Sequence, residues 1–469
     1  MSKRNLFLSA SVMLAISLPA SALAQSDVQP PAQTSAAAEA PTPAWAPSGL
    51  PDRIVLSPGA DAAREMAVAW RTDARQTEAV AELVEAVDGP AYEDGARTLT
   101  GVSVDGAALS GQGRYQTVRF SDLKPATPYL YRLKGADGWS EWLSFRTAST
   151  DASAPFRILY FGDTQNSILS KGARTIRNGL LRTSPDVVVH AGDLTGRSHD
   201  WEWGEWTAAG GYGFAMVPQI PATGNHEYTD DDDGPRQLGP LWPVQFALPD
   251  NGAEQAPETS YYTDYQGVRF IVLDGTAATS LDALDSQTRW LDQTLASSPA
   301  RWNIVVQHQP IYTCARPNDT EALKAAWEPI YRAHDVDMVL QGHDHCYSRL
   351  TDAEGKQAGV ARRAAGEPQG PVYVVSVAGP KMYGLNDRAL TQPDRVAADT
   401  QLYQTIDVEA GRLRYRAYTV SGALYDSVDI VRAADGSKSL VEPSGLPALR
   451  LCTTDGAGPD GAPCVGRPK

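Results

Sequence analysis

Five short polar clusters carry the chemistry open to this chain of 469 residues. In order they are Gly162-Asp163-Thr164-Gln165-Asn166, Gly192-Asp193-Leu194, Gly224-Asn225-His226-Glu227, Gln307-His308-Gln309-Pro310 and Gly342-His343-Asp344-His345. Four of the seven histidines lie in them, beside Asp163, Asp193 and Asn225. Oxygen and imidazole donors in this number suit borderline divalent metal ions, and one extra carboxylate could bridge two of them. Glycines ahead of the donors let the backbone approach an ion closely. No Cys-x-x-Cys is present, so a thiolate zinc site has little support.

Each cluster must be held by an element, and the sequence places a strand-like segment before each one. Apolar runs at 156–161, 186–190, 270–273, 304–306 and 336–340 alternate with helical patterns at 284–295 and 320–334. That alternation predicts an α/β domain with mainly parallel pairing, the clusters converging on one rim of a parallel sheet. Beyond Pro371, strand patterns at 372–377, 403–408, 413–420 and 424–431 follow without helices between them. They predict a second, antiparallel-rich portion that closes the domain. Upstream, from Arg53 to Thr147, period-two runs such as Met66-Ala67-Val68-Ala69-Trp70 predict a β-sandwich of roughly 100 residues. Within it, Leu123 to Tyr131 resembles the loop and tyrosine-containing strand of fibronectin type III domains.

Composition sets the compartment and the partners. A 42% hydrophobic content excludes wholesale disorder, and the length suits two or three compact units. Lys3 and Arg4, an apolar run from Leu6 to Leu18 and Ala22-Leu23-Ala24 have the layout of a secretory signal peptide, with an uncleaved anchor as the minority alternative. Residues 25–47, rich in Ala, Pro, Ser and Thr, read as a flexible linker. Loss of residues 1–24 leaves 39 basic side chains against 56 acidic, moving the net charge from −15 to −17. That balance argues against holding nucleic acid as a scaffold, and no later segment is apolar enough to span a membrane. In an exported chain, periplasmic or secreted, the four cysteines read as disulfides: Cys314 with Cys346 and Cys452 with Cys464, the alternative being free buried thiols.

The ordered set of clusters resembles the calcineurin-like metallophosphoesterase superfamily, whose signature is Gly-Asp, Gly-Asp, Gly-Asn-His-Glu, a lone His and Gly-His-x-His. With the sandwich in front, the resemblance is closest to purple acid phosphatases and covers nearly the whole mature chain. It implies an α/β metallophosphoesterase sandwich, two mixed β-sheets flanked by helices, preceded by an all-β fibronectin III-like domain. The expected division is a signal peptide at 1–24, a linker at 25–47, the N-terminal domain at 48–150, the metallophosphoesterase domain at 151–440 and a tail at 441–469. The resemblance further implies two metal ions, divalent and of the iron, manganese or zinc kind. Asp163, Asp193 and His345, with Gln165 as a weak oxygen donor, would hold metal one. Asp193 would bridge to metal two, completed by Asn225, His308 and His343. The implied reaction is hydrolysis of a small organic phosphate monoester by a metal-bridging hydroxide, with His226 protonating the leaving alcohol. One departure stands out: purple enzymes carry an iron-binding tyrosine three residues after the second aspartate, and Gly196 stands there. A colourless enzyme is therefore expected, with two divalent ions or a less tightly held first metal.

Arg197 and His199 form the most plausible phosphate-recognition pair, with an exposed polar loop as the alternative. His190 reads as a core group and His334 as a helix cap. Trp201, Trp203 and Trp206 read as packing, and the run 230–233 as a solvated acidic loop. Two competing functions follow: a phosphodiesterase or nucleotide hydrolase with the same metal centre, and a non-catalytic binding or adhesion protein.

Overall fold

The computed structural model describes residues 45–229, 235–351 and 370–466. The expected leader, most of the linker and the aspartate run 230–233 lie outside the described residues. Alternating apolar residues form an all-β sandwich first. One sheet has the order β1-β2-β6-β5, from β1 (Asp52–Pro58), β2 (Met66–Thr72), β5 (Val102–Asp105) and β6 (Arg114–Phe120). The other joins β4 (Arg97–Thr100), β3 (Val80–Glu85), β7 (Pro128–Gly135) and β8 (Gly138–Trp139), with β9 (Leu143–Arg146) also on β7. Phe120, Tyr129, Tyr131 and Phe145 pack between them. The Tyr129 hydroxyl accepts the Lys124 backbone N–H at 2.9 Å, pinning the loop ahead of its own strand.

The second region consists of two seven-stranded mixed sheets packed face to face. The first has the order β12-β11-β10-β20-β21-β22-β23. Its parallel half is β10 (Phe156–Phe161), β11 (Val187–Ala191) and β12 (Gln219–Ala222). Its antiparallel half is β20 (Leu402–Glu409), β21 (Arg412–Thr419), β22 (Leu424–Arg432) and β23 (Lys438–Val441). The second sheet has the order β13-β14-β15-β16-β18-β17-β19. It comprises β13 (Tyr261–Tyr265), β14 (Val268–Leu273), β15 (Trp302–Gln307), β16 (Met338–Gln341), β17 (Tyr347–Leu350), β18 (Val372–Val375) and β19 (Arg395–Ala397). Helices α1 (Ala173–Thr183), α2 (Asp200–Gly210), α3 (Tyr212–Met216) and α4 (Trp242–Gln245) follow strands of the first sheet or precede the second. Helices α5 (Gly275–Ser280), α6 (Leu284–Ala296) and α7 (Glu321–Ala333) belong to the second.

Side-chain alternation explains the layering. Val187 and Val189 face the core between the sheets together with Phe270, Val272, Ile304 and Val306. Val188 joins Ile176 of α1 on the outer side, and Ile271 joins Leu291 of α6 and Trp327 of α7 on the other. Every strand of the parallel halves is therefore buried on both faces, which is why these segments read as continuous apolar runs.

Two expectations are corrected. The five clusters do not share one sheet: three follow β10, β11 and β12, and two follow β15 and β16 of the opposing sheet. An unbroken apolar run reports burial on both faces but not which sheet a strand joins. The late strands are antiparallel-rich as expected, but they extend the two sheets instead of forming a portion of their own. β18 pairs in parallel with β16, while β20 pairs antiparallel with β10 and extends the first sheet.

The sandwich is locked to the second region through charge. Arg53 of β1 donates to both carboxylate oxygens of Asp200, the first residue of α2, at 2.9 and 3.0 Å. The Tyr115 hydroxyl of β6 adds a third contact at 2.5 Å. Arg71 completes the group while pairing with Asp52. Two disulfides close the chain, Cys314–Cys346 and Cys452–Cys464.

Candidate metal centre

The rim where the two sheets meet gathers two groups of donors. Asp193, His308 and His343 offer ligand atoms within 4.8 Å of one another, and so do Asp163, Asp193 and His345. Asp193 belongs to both, the position a bridging carboxylate requires. Its Oδ1 accepts the His226 backbone N–H at 3.0 Å, while Oδ2 lies 3.1 Å from His308 Nε2. Asn225 occupies a short turn, 225–227, beside this carboxylate.

Backbone contacts set the direction of two of the three imidazoles, while His343 Nδ1 lies 3.1 Å from His308 Nε2. His308 Nδ1 meets the Ala191 carbonyl at 2.8 Å, and His345 Nδ1 meets the Lys381 carbonyl at 2.9 Å. In each ring a donor nitrogen is anchored and Nε2 is left facing the carboxylates, the arrangement typical of metal-ligating histidine. Gly192 makes the approach of His308 feasible: its φ is +81°, and a Cβ there would lie 2.6 Å from His308 Nδ1. Asp193, His343 and His345 also have left-handed backbones, with φ of 50°, 72° and 48°.

Glu227 braces the turns between clusters. Its buried carboxylate accepts the backbone N–H groups of Asp193, Gly224 and Thr195 at 2.9, 2.8 and 3.1 Å. Burial, reinforced by the charge on Asp193, nevertheless pushes it up to about 8. Burial, partly offset by His308, takes the Asp163 carboxyl up to about 7. Against its own burial, Asp193 is held below the usual carboxylate range by His308, which rises to about 9 in return. Burial, then Lys381, lowers His345 to about 3, and burial with His308 beside it keeps His343 far below its ordinary value. The neutral imidazoles of His343 and His345 beside buried carboxylates are a combination that divalent cations would satisfy.

The unsatisfied atoms test the fit. Asp163 Oδ1 and Asn225 Oδ1 are buried and accept no hydrogen bond. Buried oxygens of this kind are costly unless something else coordinates them. The donor set therefore fits two metal ions.

Gln165 reaches the expected place. It lies at the metal-one group, but its amide nitrogen, not its oxygen, faces Asp193 Oδ2, and Nε2 also lies 3.3 Å from His345 Nε2. The oxygen instead meets Lys381 Nζ at 3.5 Å. A carboxylate on one side and an ammonium on the other favour this orientation. Gly196 shows why no phenolate reaches metal one from that position. Glycine has no phenol to offer, and a Cβ there would stand 2.6 Å from Glu202 Oε1, the end of a side chain that would have to shift.

The remaining residues sort by contact. His226 Nδ1 meets the Gly196 carbonyl at 2.6 Å, and Nε2 lies 4.0 Å from Asp193 Oδ2. Arg197 and His199 are exposed and line a cavity with His226, away from the two donor groups. His190 is buried against Trp206 and Phe214 with Nε2 on Gln219. His334 stands at the C-terminal end of α7, but its side chain turns to Asp292 on α6 instead of the helix carbonyls. Trp203 and Trp206 are fully buried packing residues, and Trp201 is partly exposed.

Sequence reasoning missed four residues. Lys381 sits beside the metal-one group with no carboxylate partner among the described residues, and Tyr383 packs on His345 at 4.8 Å between centroids. Arg316 donates to the His343 carbonyl and Asp344, while Asp344 also accepts the backbone N–H groups of Cys314 and Ala315. Glu202 accepts the backbone N–H groups of Gly196, Arg197 and His199. Only Glu202 had a local signal, three residues after the helix-capping position at His199.

Comparison with known proteins agrees with this geometry. Residues 156–347 match the family described as calcineurin-like phosphoesterase, and residues 51–147 match the purple acid phosphatase N-terminal domain. Purple acid phosphatase 15 of Arabidopsis thaliana is 26% identical over 304 residues, covering 58% of this chain and 54% of that protein. Acid phosphatase type 7 of Homo sapiens is 25% identical over 365 residues, covering 71% of this chain and 78% of that one. This chain thus spans about half the length of the first relative and more of the second. The structure of purple acid phosphatase PPD1 from yellow lupin seeds superposes with a TM-score of 0.67 at 21% identity, over 82% of this chain and 75% of that chain. The calcineurin-like phosphoesterase match begins with β10 and ends at the first residue of β17, enclosing all five clusters.

Proposed function

We propose that the protein is an exported phosphomonoesterase with a two-metal centre. The observation that carries this reading is the double membership of Asp193 in two adjacent donor groups. Bound there, two divalent ions would supply Lewis acidity toward the phosphoryl oxygens and a water acidic enough to attack near neutral pH. Asp163, Asp193 and His345 would hold one, and Asp193, Asn225, His308 and His343 the other. The chain itself supplies the orientation: the carbonyls of Ala191 and Lys381 fix two imidazoles, and Glu227 ties the Asp193 turn to the Asn225 turn.

His226 is the proton donor. With Nδ1 anchored on Gly196 O, its Nε2 is directed toward the metal groups, where a protonated imidazole can deliver its proton to the leaving alcohol oxygen as the P–O bond breaks. The attacking water returns a proton, and the products are an alcohol and inorganic phosphate. Export is supported by the two disulfides, which persist in oxidising compartments.

Metal-free protein should gain activity on p-nitrophenyl phosphate when supplied with manganese, zinc or iron. Its rate on bis(p-nitrophenyl) phosphate should be lower. Preference for the diester would replace this reading with a phosphodiesterase. Inertness with every metal would leave a binding protein. Asn225→Ala should lose metal-two occupancy ahead of metal one in elemental analysis.

A further inference from the structure

A cavity of about 220 Å³ opens beside His226. Leu109 and Ser110 of the N-terminal sandwich form one side, Arg197 and His199 another, and Tyr228 and Leu241 contribute further wall. His226 borders both this cavity and Asp193. The group that protonates a leaving oxygen marks the side on which the alcohol departs.

From this geometry we infer that the cavity is the leaving-group subsite and that it takes a ring-sized apolar alcohol bearing an anionic substituent. The inference rests on the phosphatase reading and extends it to the far half of the ester. Volume sets the size: about seven times the ~30 Å³ that a water molecule takes in the liquid, room for one ring and a substituent. Charge sets the substituent. Among the described residues Arg197 is exposed and has no carboxylate partner, and the one acidic residue on the described cavity wall, Asp200, is engaged by Arg53 and Tyr115. The described wall is cationic beside leucine and tyrosine surface, which favours a carboxylate or second phosphate on an aromatic or sugar ring. The sandwich domain therefore helps select the substrate, through Leu109 and Ser110.

Phenyl phosphate, 4-carboxyphenyl phosphate and methyl phosphate separate these contributions. The metal-loaded protein should prefer the carboxyphenyl ester to the phenyl ester by about tenfold in kcat/KM, the ratio one charge-assisted hydrogen bond provides. Arg197→Gln, at an exposed position, should abolish that preference. Leu109→Trp, which narrows the cavity, should cost both aryl esters at least tenfold relative to methyl phosphate. A readout without turnover is calorimetric titration with 4-hydroxybenzoate, the product alcohol, which should bind more tightly than phenol and lose that margin in Arg197→Gln. Equal loss on all three esters in Leu109→Trp, or a carboxylate preference that survives Arg197→Gln, would overturn the subsite. If no ester is hydrolysed, the phosphatase reading fails, and absence of 4-hydroxybenzoate binding overturns the subsite separately.

Discussion

Glu202 offers the sharpest test of how the catalytic loop is held. Its two carboxylate oxygens accept three consecutive-loop amides, from Gly196 at 3.0 Å, Arg197 at 2.9 Å and His199 at 3.1 Å. The Gly196 carbonyl on the same loop anchors His226 Nδ1. In Glu202→Ala the buried Gly196 N–H is stranded, at about 1–3 kcal/mol, while water replaces the other two contacts at a net loss of about 0.5–1.5 kcal/mol each. A total near 3 kcal/mol raises the open population of the loop by about 150-fold. Hydrogen exchange of peptides covering 194–200 should accelerate by up to that factor. Activity should fall at least tenfold, and further for alkyl phosphates than for p-nitrophenyl phosphate, because a poor leaving group depends more on the proton from His226. Glu202→Gln keeps one oxygen and should fall between the two. Unchanged exchange together with unchanged rates would refute the latch. An equal loss for good and poor leaving groups would place the damage at the metals instead.

Three more outcomes follow from the same structure. Asp200→Asn leaves the buried Arg53 guanidinium without its carboxylate, and denaturant unfolding should report a loss of about 3–5 kcal/mol; a change below 1 kcal/mol would mean that water already screens the pair. Iron-loaded protein should show no tyrosinate absorption band, since Gly196 has no phenol to offer; a violet preparation would point to another phenol. Burial, against the bond to Gln219, lowers His190 to about 4, so the unfolded chain takes up a proton from pH 6.5 downward that the folded one refuses until about pH 4. That coupling removes about 3 kcal/mol of stability between those pH values, and His190→Phe should flatten the acid limb by a similar amount in urea titrations.

How much was legible in the sequence depended on range. The strand ahead of each cluster could be read because burial on both faces forces a continuous apolar run; 156–161 was marked to the residue. The donors could be read because their order along the chain is itself a pattern. The division of the clusters between two sheets could not, since pairing partners lie as far apart as Phe156 and Val408. Gln165 illustrates a different limit: its side chain reaches the expected place, but Asp193 and Lys381, one at each end of the amide, decide which atom points inward. Lys381 itself follows a strand with no polar cluster, and the contribution of Leu109 arises only through the docking of one domain on the other.

The left-handed backbones of Asp193, His343 and His345 bear on the protein's evolutionary prospects. Aspartate, asparagine and histidine are enriched among the few side chains that tolerate this conformation, while β-branched residues are excluded. Drift at these three sites is thereby channelled: an asparagine preserves the loop and removes a charged or imidazole donor, whereas a valine unsettles the loop as well. On the two-metal reading proposed above, one such substitution would weaken metal binding while leaving the sandwich, the clamp at Asp200 and the cavity beside His226 in place. Catalysis in this fold can be lost without the shape being lost, which leaves a preformed pocket free for selection to reuse.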